Sequence, residues 1–315
     1  MPPGKSALGW VPAEAKKSHV KFEVDIYLKG PSGGGGAGGN IWRADTLLCA
    51  AGVGSGEKDG GMYIMNIPLH YPGSKKRIAP WIIQYMPPHH SYLEPFFGGG
   101  AVLFEKCPAP IETVNDLDDD VVNFFRVLQD VESREQLCAW LDYTPYARSV
   151  YEESFTNPSR TPVERATYFA IRSLQSHGFR ITEKCGWKKD VYGREAAYAV
   201  RYWNELPAAL AEMAERLKQV QIEHRPALEL IKAFNHSNVL IYADPPYVLS
   251  TRGRKQYRHE MSDQDHRELL EALCESQAKV MLSGYECPLY EEYLSGWHKA
   301  QIGARAQHNL PRVET

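Results

Sequence analysis

The run Asn238-Val239-Leu240-Ile241-Tyr242-Ala243-Asp244-Pro245-Pro246-Tyr247 decides how the rest of the chain is read. Its first residues are apolar and rich in β-branched side chains, which marks a buried strand. Two successive prolines then remove two backbone donors and fix φ, so the strand stops and a stiff loop begins. Loops at the carboxyl ends of strands are where open α/β sheets bind ligands. This one carries a carboxylate, backbone carbonyls and an aromatic ring together.

Those groups suit one difficult chemistry, the methylation of an exocyclic amine on a flat nucleobase. The amine is a poor nucleophile because its lone pair is delocalised into the ring. If Asp244 and the carbonyl of Pro245 accept its two hydrogens, the nitrogen is drawn toward a tetrahedral shape and the lone pair is released. Pro246 stiffens the bend, and Tyr247 is placed to stack on a base turned out of a duplex. Orientation and fixed dipoles would supply the rate, with no covalent intermediate. An ordinary turn closing a strand looks the same, so the surrounding chain must separate the two.

At 315 residues the chain is long enough to bury one large domain or two modest ones. Hydrophobic content of 43% and charged content of 24% are those of a soluble globular protein. A net charge of −3 argues against a uniformly basic nucleic-acid coat and leaves room for a local basic face. No apolar run approaches the roughly 18 residues of a membrane span, and the first residues lack the order of a secretory signal. The six cysteines are scattered without a Cys-x-x-Cys pair, which predicts reduced thiols and no metal site. His89-His90, among prolines, reads as surface loop.

Outward from the central loop, Tyr92-Leu93-Glu94 reads as a strand end and Ala101 to Lys106 as a helix start, with Gly98-Gly99-Gly100 between them. Glycines at such a turn let a ligand approach the backbone. The next strand, Ile111 to Val114, ends at Asn115-Asp116, an acid about 20 residues past the turn where ribose hydroxyls are gripped. Asp118, Asp119 and Asp120 read as acids at a helix N-terminus, and Val121 to Leu128 has helical spacing.

Taken together, Tyr71-Pro72-Gly73-Ser74-Lys75, Glu94-Pro95-Phe96-Phe97-Gly98-Gly99-Gly100, Asn115-Asp116 and Asp244-Pro245-Pro246-Tyr247 resemble, in residues and in order, the Dam-type adenine-specific DNA methyltransferases. Gly284-Tyr285 looks like part of a later strand of that family. The resemblance runs from about residue 66 to the end. It implies a Rossmann-like α/β sheet with an inserted, mainly helical target-recognition domain, and S-adenosylmethionine as methyl donor, with no metal. Position by position it implies that Tyr71 and Lys75 line the donor pocket. Glu94, Pro95, Phe96, Gly98 and Gly100 would form its floor, Asp116 would hold the ribose, and Asp244 would stand between donor and base. Tyr71 and Ser74 depart from the Trp-x-Gly-Gly-Lys of several members, while an aromatic and the lysine remain. The 4-amino group of cytosine is a second acceptor that the same loop serves, and an inactive DNA-binding remnant is a reading of another class.

The expected division is a catalytic domain over 62–142 and 227–315 with a recognition insert at 143–226. In the insert, Pro162 to Arg172 reads as a helix and Leu206 to Lys218 as scaffold helix. Arg180, Lys188 and Lys189, interleaved with Phe179, Trp187 and Tyr192, are expected to contact DNA; aromatics tucked into a local core are the alternative. Val220 to Glu223 returns the chain to the sheet. Arg252, Arg254 and Lys255 are expected to grip phosphates beside the flipped base from a mobile segment. The expected partner is double-stranded DNA, the setting the cytoplasm of a bacterial or phage-infected cell, and the chain a monomer. A cognate restriction endonuclease, a phage role and a stand-alone role all fit.

Residues 1–61 read as a poorly ordered glycine-rich extension, upstream of a start at Met62 or Met65. Within it Lys21 to Leu28 alternates like a strand, but a lone strand has nothing to pair with. At the other end the chain stops soon after Asn309-Leu310-Pro311-Arg312, so an edge strand is expected to be lacking. Two arrangements would overturn the catalytic reading: a central loop far from the glycine turn, or Asp244 held in an internal ion pair.

Overall fold

The computed structural model describes residues 22–29, 69–156, 161–179, 181–191 and 197–304. The strand expected before the double proline forms as Val239–Ala243, with all five residues buried. In chain order the described strands are β1 Phe22–Leu28, β2 Ser91–Glu94, β3 Ile111–Asn115, β4 Val220–Glu223, β5 Val239–Ala243, β6 Lys279–Gly284 and β7 His298–Ala304. They form one sheet in the order β4-β3-β2-β5-β6-β1-β7. β1 is antiparallel to both neighbours and the remaining pairings are parallel.

Continuous apolar runs belong to strands covered on both faces, and two cores flank this sheet. Tyr92, Leu240, Tyr242 and Met281 point to one, Leu93, Ile241, Ala243 and Leu282 to the other. The chain winds outward from β2 through β3 to β4, then returns to the far side of β2 for β5 and β6. The winding therefore reverses between β2 and β5, and the crevice at their carboxyl ends is where such sheets hold ligands. Among the described residues no helix is long and apolar enough to cross a membrane.

The lone-strand expectation is corrected. β1 lies inside the sheet, with Ile26 opposite both Ser283 of β6 and Ala300 of β7. Ile26 is fully buried and Asp25 nearly so. Asp25 accepts a hydrogen bond from Gln301 Nε2 at 2.8 Å and pairs with Lys299 at 3.3 Å. Just past β1, Lys29 Nζ donates to the carbonyls of Leu273, Cys274 and Ser276, capping the helix Asp263–Glu275. Beyond β6 the sheet continues through β1 to β7. The glycine tract, Met62, Met65 and the Asn309–Arg312 turn lie outside the described residues.

The helix Pro162–Gln175 starts with Thr161 and Glu164 in a reciprocal capping box and Pro162 in its first turn. The scaffold helix begins earlier than the sequence suggests, at Tyr198, and runs to Leu217. β4 pairs with β3, so the stretch expected as an insert, 143–226, includes one strand of the sheet. Nor do its helices enclose a core of their own. Phe169 meets Phe124 of the helix Asp119–Gln129 at 5.1 Å between ring centroids. Leu206, Leu210 and Met213 are fully buried in the same cluster as Tyr92 and Tyr242. Cys138, Cys185, Cys274 and Cys287 are free, but Cys107 is disulfide-bonded, against the expectation of reduced thiols throughout.

If β1 is an integral strand, truncating its central side chain opens a cavity in the core. Ile26→Ala should lower the unfolding free energy by about 2–5 kcal/mol, measured by urea denaturation. A change near zero would mean that β1 is a dispensable attachment.

Candidate active site at the switch point

A pocket of about 290 Å3 opens between the ends of β2 and β5. It is lined by every residue expected to hold the methyl donor: Tyr71, Lys75, Glu94, Pro95, Phe96, Gly98, Gly100, Asp116 and Asp244. The central loop and the glycine turn are therefore neighbours, and the first overturning arrangement does not occur. Pro246 also lines the pocket, whereas Pro245 is buried behind it.

The turn after β2 is built by its own backbone. Phe97 N donates to Asn115 O at 2.8 Å, and Asn115 Nδ2 donates to Pro95 O at 2.9 Å, joining the ends of β2 and β3. Gly98 has φ +50, and a Cβ there would stand 2.9 Å from the Tyr71 ring. Only glycine lets that ring lie flat on the turn.

Asp116 sits at the end of β3, its Oδ2 accepting from Gly98 N and its Oδ1 from Asp118 N, each at 2.8 Å. Burial pushes its carboxyl up to about 6, against the pull of those amides. The carboxylate thus fixes the glycine turn and keeps lone pairs for a further donor. Asp118 caps the helix Asp119–Gln129, as its sequence position suggested. It also lines the pocket and accepts from Arg258 at 2.8 Å, a role the sequence did not reveal. Glu94 is buried and accepts from the Tyr92 hydroxyl at 2.8 Å. Burial, with Asp244 nearby, pushes its carboxyl up to about 8 despite that bond.

The second overturning arrangement does occur in part. Asp244 Oδ2 pairs with Lys75 Nζ at 2.6 Å. Lys75 Nζ also donates to Gly73 O at 2.8 Å and lies 4.9 Å from the centre of the Tyr247 ring. The partner is a lysine of the pocket itself, and the Tyr247 hydroxyl also stands close enough to the carboxyl to favour its charged form. Asp244 Oδ1 is buried without a hydrogen-bond partner. Burial raises the Asp244 carboxyl above its ordinary range while the Lys75 ammonium pulls it back. An oriented, unspent acceptor is what the amine chemistry requires. Tyr247 stands between Lys75 and Tyr285, meeting the Tyr285 ring edge-on at 4.6 Å.

The residues expected to contact DNA divide. Arg254, Lys255 and Lys189 are exposed and Lys188 half-buried, while Arg180 lies outside the described residues. Arg252 pairs with Glu260 and donates to Tyr247 O at 2.6 Å. Trp187 packs against Tyr146 at 5.3 Å and donates to Gln175 Oε1, so it takes the local-core alternative. Sequence reasoning passed over Tyr257 and Arg258, which line the pocket, and Tyr285. Their only signal was aromatic or basic character within segments read for other purposes.

With this geometry in place, comparison with known proteins is informative. The D12 class N6 adenine-specific DNA methyltransferase family matches residues 71–306. The chain belongs to that family. This D12 methyltransferase is 26% identical over 253 residues to the Type II methyltransferase M1.LlaDCHI of Lactococcus lactis subsp. cremoris, covering 74% of the chain and 86% of the relative. It is also 26% identical over 250 residues to the DNA N-6-adenine-methyltransferase of Escherichia phage P1, across 75% of the chain but 32% of that longer protein. The family acts on the 6-amino group of adenine, which sets aside the cytosine acceptor. The matched stretch opens at Tyr71, so the D12 methyltransferase carries β1 outside it.

Two pH responses follow. Lys75→Met removes the group that holds the Asp244 carboxyl down, so the carboxylate should form only at higher pH. The acid limb of the kcat/KM profile should move upward; an unmoved limb would mean that Asp244 ionisation does not govern turnover. Glu94, raised when folded, binds more protons folded than unfolded between its ordinary range and about 8. Stability should therefore fall as pH rises through that window. Glu94→Gln should flatten the decline in denaturation midpoints.

Proposed function

We propose that the pocket binds S-adenosylmethionine and that Asp244-Pro245-Pro246-Tyr247 presents the 6-amino group of an adenine, turned out of double-stranded DNA, for methylation. The reading is carried by the buried, partnerless Asp244 Oδ1 on the wall of the donor pocket. The residues present fit the donor: an aromatic ring at Tyr71, a close-approach glycine turn and the acids Glu94, Asp116 and Asp118 suit a cationic, ribose-bearing ligand. When bound, the donor supplies an electrophilic methyl group on a sulfonium. Asp244 Oδ1 accepts one amine hydrogen and the Pro245 carbonyl the other, which frees the nitrogen lone pair. Lys75 holds the carboxylate ionised and oriented, and Tyr247 faces the base. Asp116 takes the ribose hydroxyls.

DNA lies against the insert face that bears Lys188 and Lys189, with Arg254 and Lys255 on the side of the catalytic loop. The likeness to a Type II methyltransferase supports a partner endonuclease acting on the same site, in the cytoplasm of a bacterial or phage-infected cell.

Asp244→Ala should reduce methyl transfer from labelled donor to DNA by at least about 10²-fold, with DNA affinity little changed and 6-methyladenine absent on nucleoside analysis. Retained turnover would remove Asp244 from the reaction.

A further inference from the structure

Of residues 252–260, Tyr257, Arg258, His259 and Glu260 line the pocket, and the segment is closed on itself where its first and last residues pair. At one end Arg252 Nε donates to Tyr247 O at 2.6 Å, and the guanidinium pairs with Glu260. Glu260 Oε1 accepts in turn from the backbone amides of Gln256 and Tyr257 at 2.6 and 2.9 Å, closing the segment on a single carboxylate. Toward the other end Arg258 donates to Asp118 Oδ1 at 2.8 Å and to Asp120 Oδ2 at 2.7 Å. Between these anchors the Tyr257 ring lies 6.3 Å from Tyr71. Its hydroxyl sits over Gly73, whose φ of +73 and lack of a Cβ make room for it.

We propose that residues 252–260 form a strap over the donor pocket and that Arg258 is the positioning residue that latches it. The inference rests on the pocket being the S-adenosylmethionine site. The latched strap holds Tyr257 against Tyr71 and Gly73 as the outer wall of the pocket. The base closed by Arg252 and Glu260 hangs from the catalytic loop through Tyr247 O, and Arg258 alone ties the segment to the acid turn that follows β3. The two anchors differ in kind. Arg252 and Glu260 are 8% and 11% exposed, a sealed pair that joins the two ends of the segment. Arg258 is 38% exposed, opposite an Asp118 at 4%, and half-exposed pairs are weak enough to part and re-form. Donor entry and product exit open the Arg258 end, and closure over the donor restores it. Arg258 is thereby distinguished from its neighbours Arg254 and Lys255, which face solvent and carry no contact to the pocket wall.

The test is Arg258→Met in the full chain. Affinities for S-adenosylmethionine and S-adenosylhomocysteine are measured by calorimetry without DNA, DNA affinity by fluorescence anisotropy, and KM for the donor alongside kcat. The strap predicts that both donor and product affinities fall about tenfold, a change of about 1.4 kcal/mol. KM for the donor should rise by a similar factor, with kcat less affected and DNA affinity unchanged. Arg258→Lys, which keeps the charge but cannot span two carboxylates, should fall between. Weakened DNA binding with unchanged donor affinity would make Arg258 a phosphate contact and overturn the latch. A lowered melting temperature with all affinities unchanged would make it purely structural and overturn it equally. If the wild-type protein binds neither S-adenosyl ligand, the reading of the pocket falls and takes the strap with it, an outcome distinct from a failure confined to Arg258.

Discussion

The ion pair between Lys75 and Asp244 is the interaction on which the site depends. It joins the turn before the first described helix to the end of β5, two stretches far apart in the chain. Both groups are largely removed from water, and an unpaired carboxylate there would take up a proton and lose its value as an acceptor. Pairing through a single oxygen resolves two opposed demands. It favours the charged carboxylate, and it leaves the second oxygen for substrate.

Around that pair the sheet acts as a frame. Reversal of the winding between β2 and β5 brings Glu94 and Asp244 to the same rim, while Asn115 stitches β3 to the turn after β2. The run of helices between β3 and β4 belongs to that frame. Arg216, from its last helix, shares the buried Glu112 of β3 with Lys106. An insert whose helices share a core with the sheet transmits position to it directly, since packed interiors are stiff.

Much of this was legible in the residues. The apolar run before Asp244 announced β5, and the ordered motifs brought the pocket residues together, because short-range chemistry at strand ends leaves compact signatures. What was not legible depended on distance. β1 looked partnerless because strand pairing is not written into a strand, and its partners come from the far end of the chain. Arg252 looked like a phosphate ligand because a basic run does not disclose which of its members has an internal carboxylate; Glu260 settled that only in three dimensions. Trp187 beside Lys188 and Lys189 suggested a DNA contact, yet an indole with Gln175 and Tyr146 in reach packs inward. Asp118 read as one of three acids at a helix N-terminus, but nothing local indicated that its carboxylate would cap that helix, line the pocket and meet Arg258.

The placement of β1 also bears on how the molecule is assembled. The strand that precedes all others in the chain fills the slot between the two that come after them, so Ile26 meets Ser283 and Ala300 across nearly the whole sequence. Pairings of such long reach are slow to form because loop closure must precede any gain from contact. During synthesis β1 is made well before β6 and β7, so both its edges stay unsatisfied until those two strands follow. The sheet cannot close in that interval, when the nascent chain is open to aggregation or to chaperone capture.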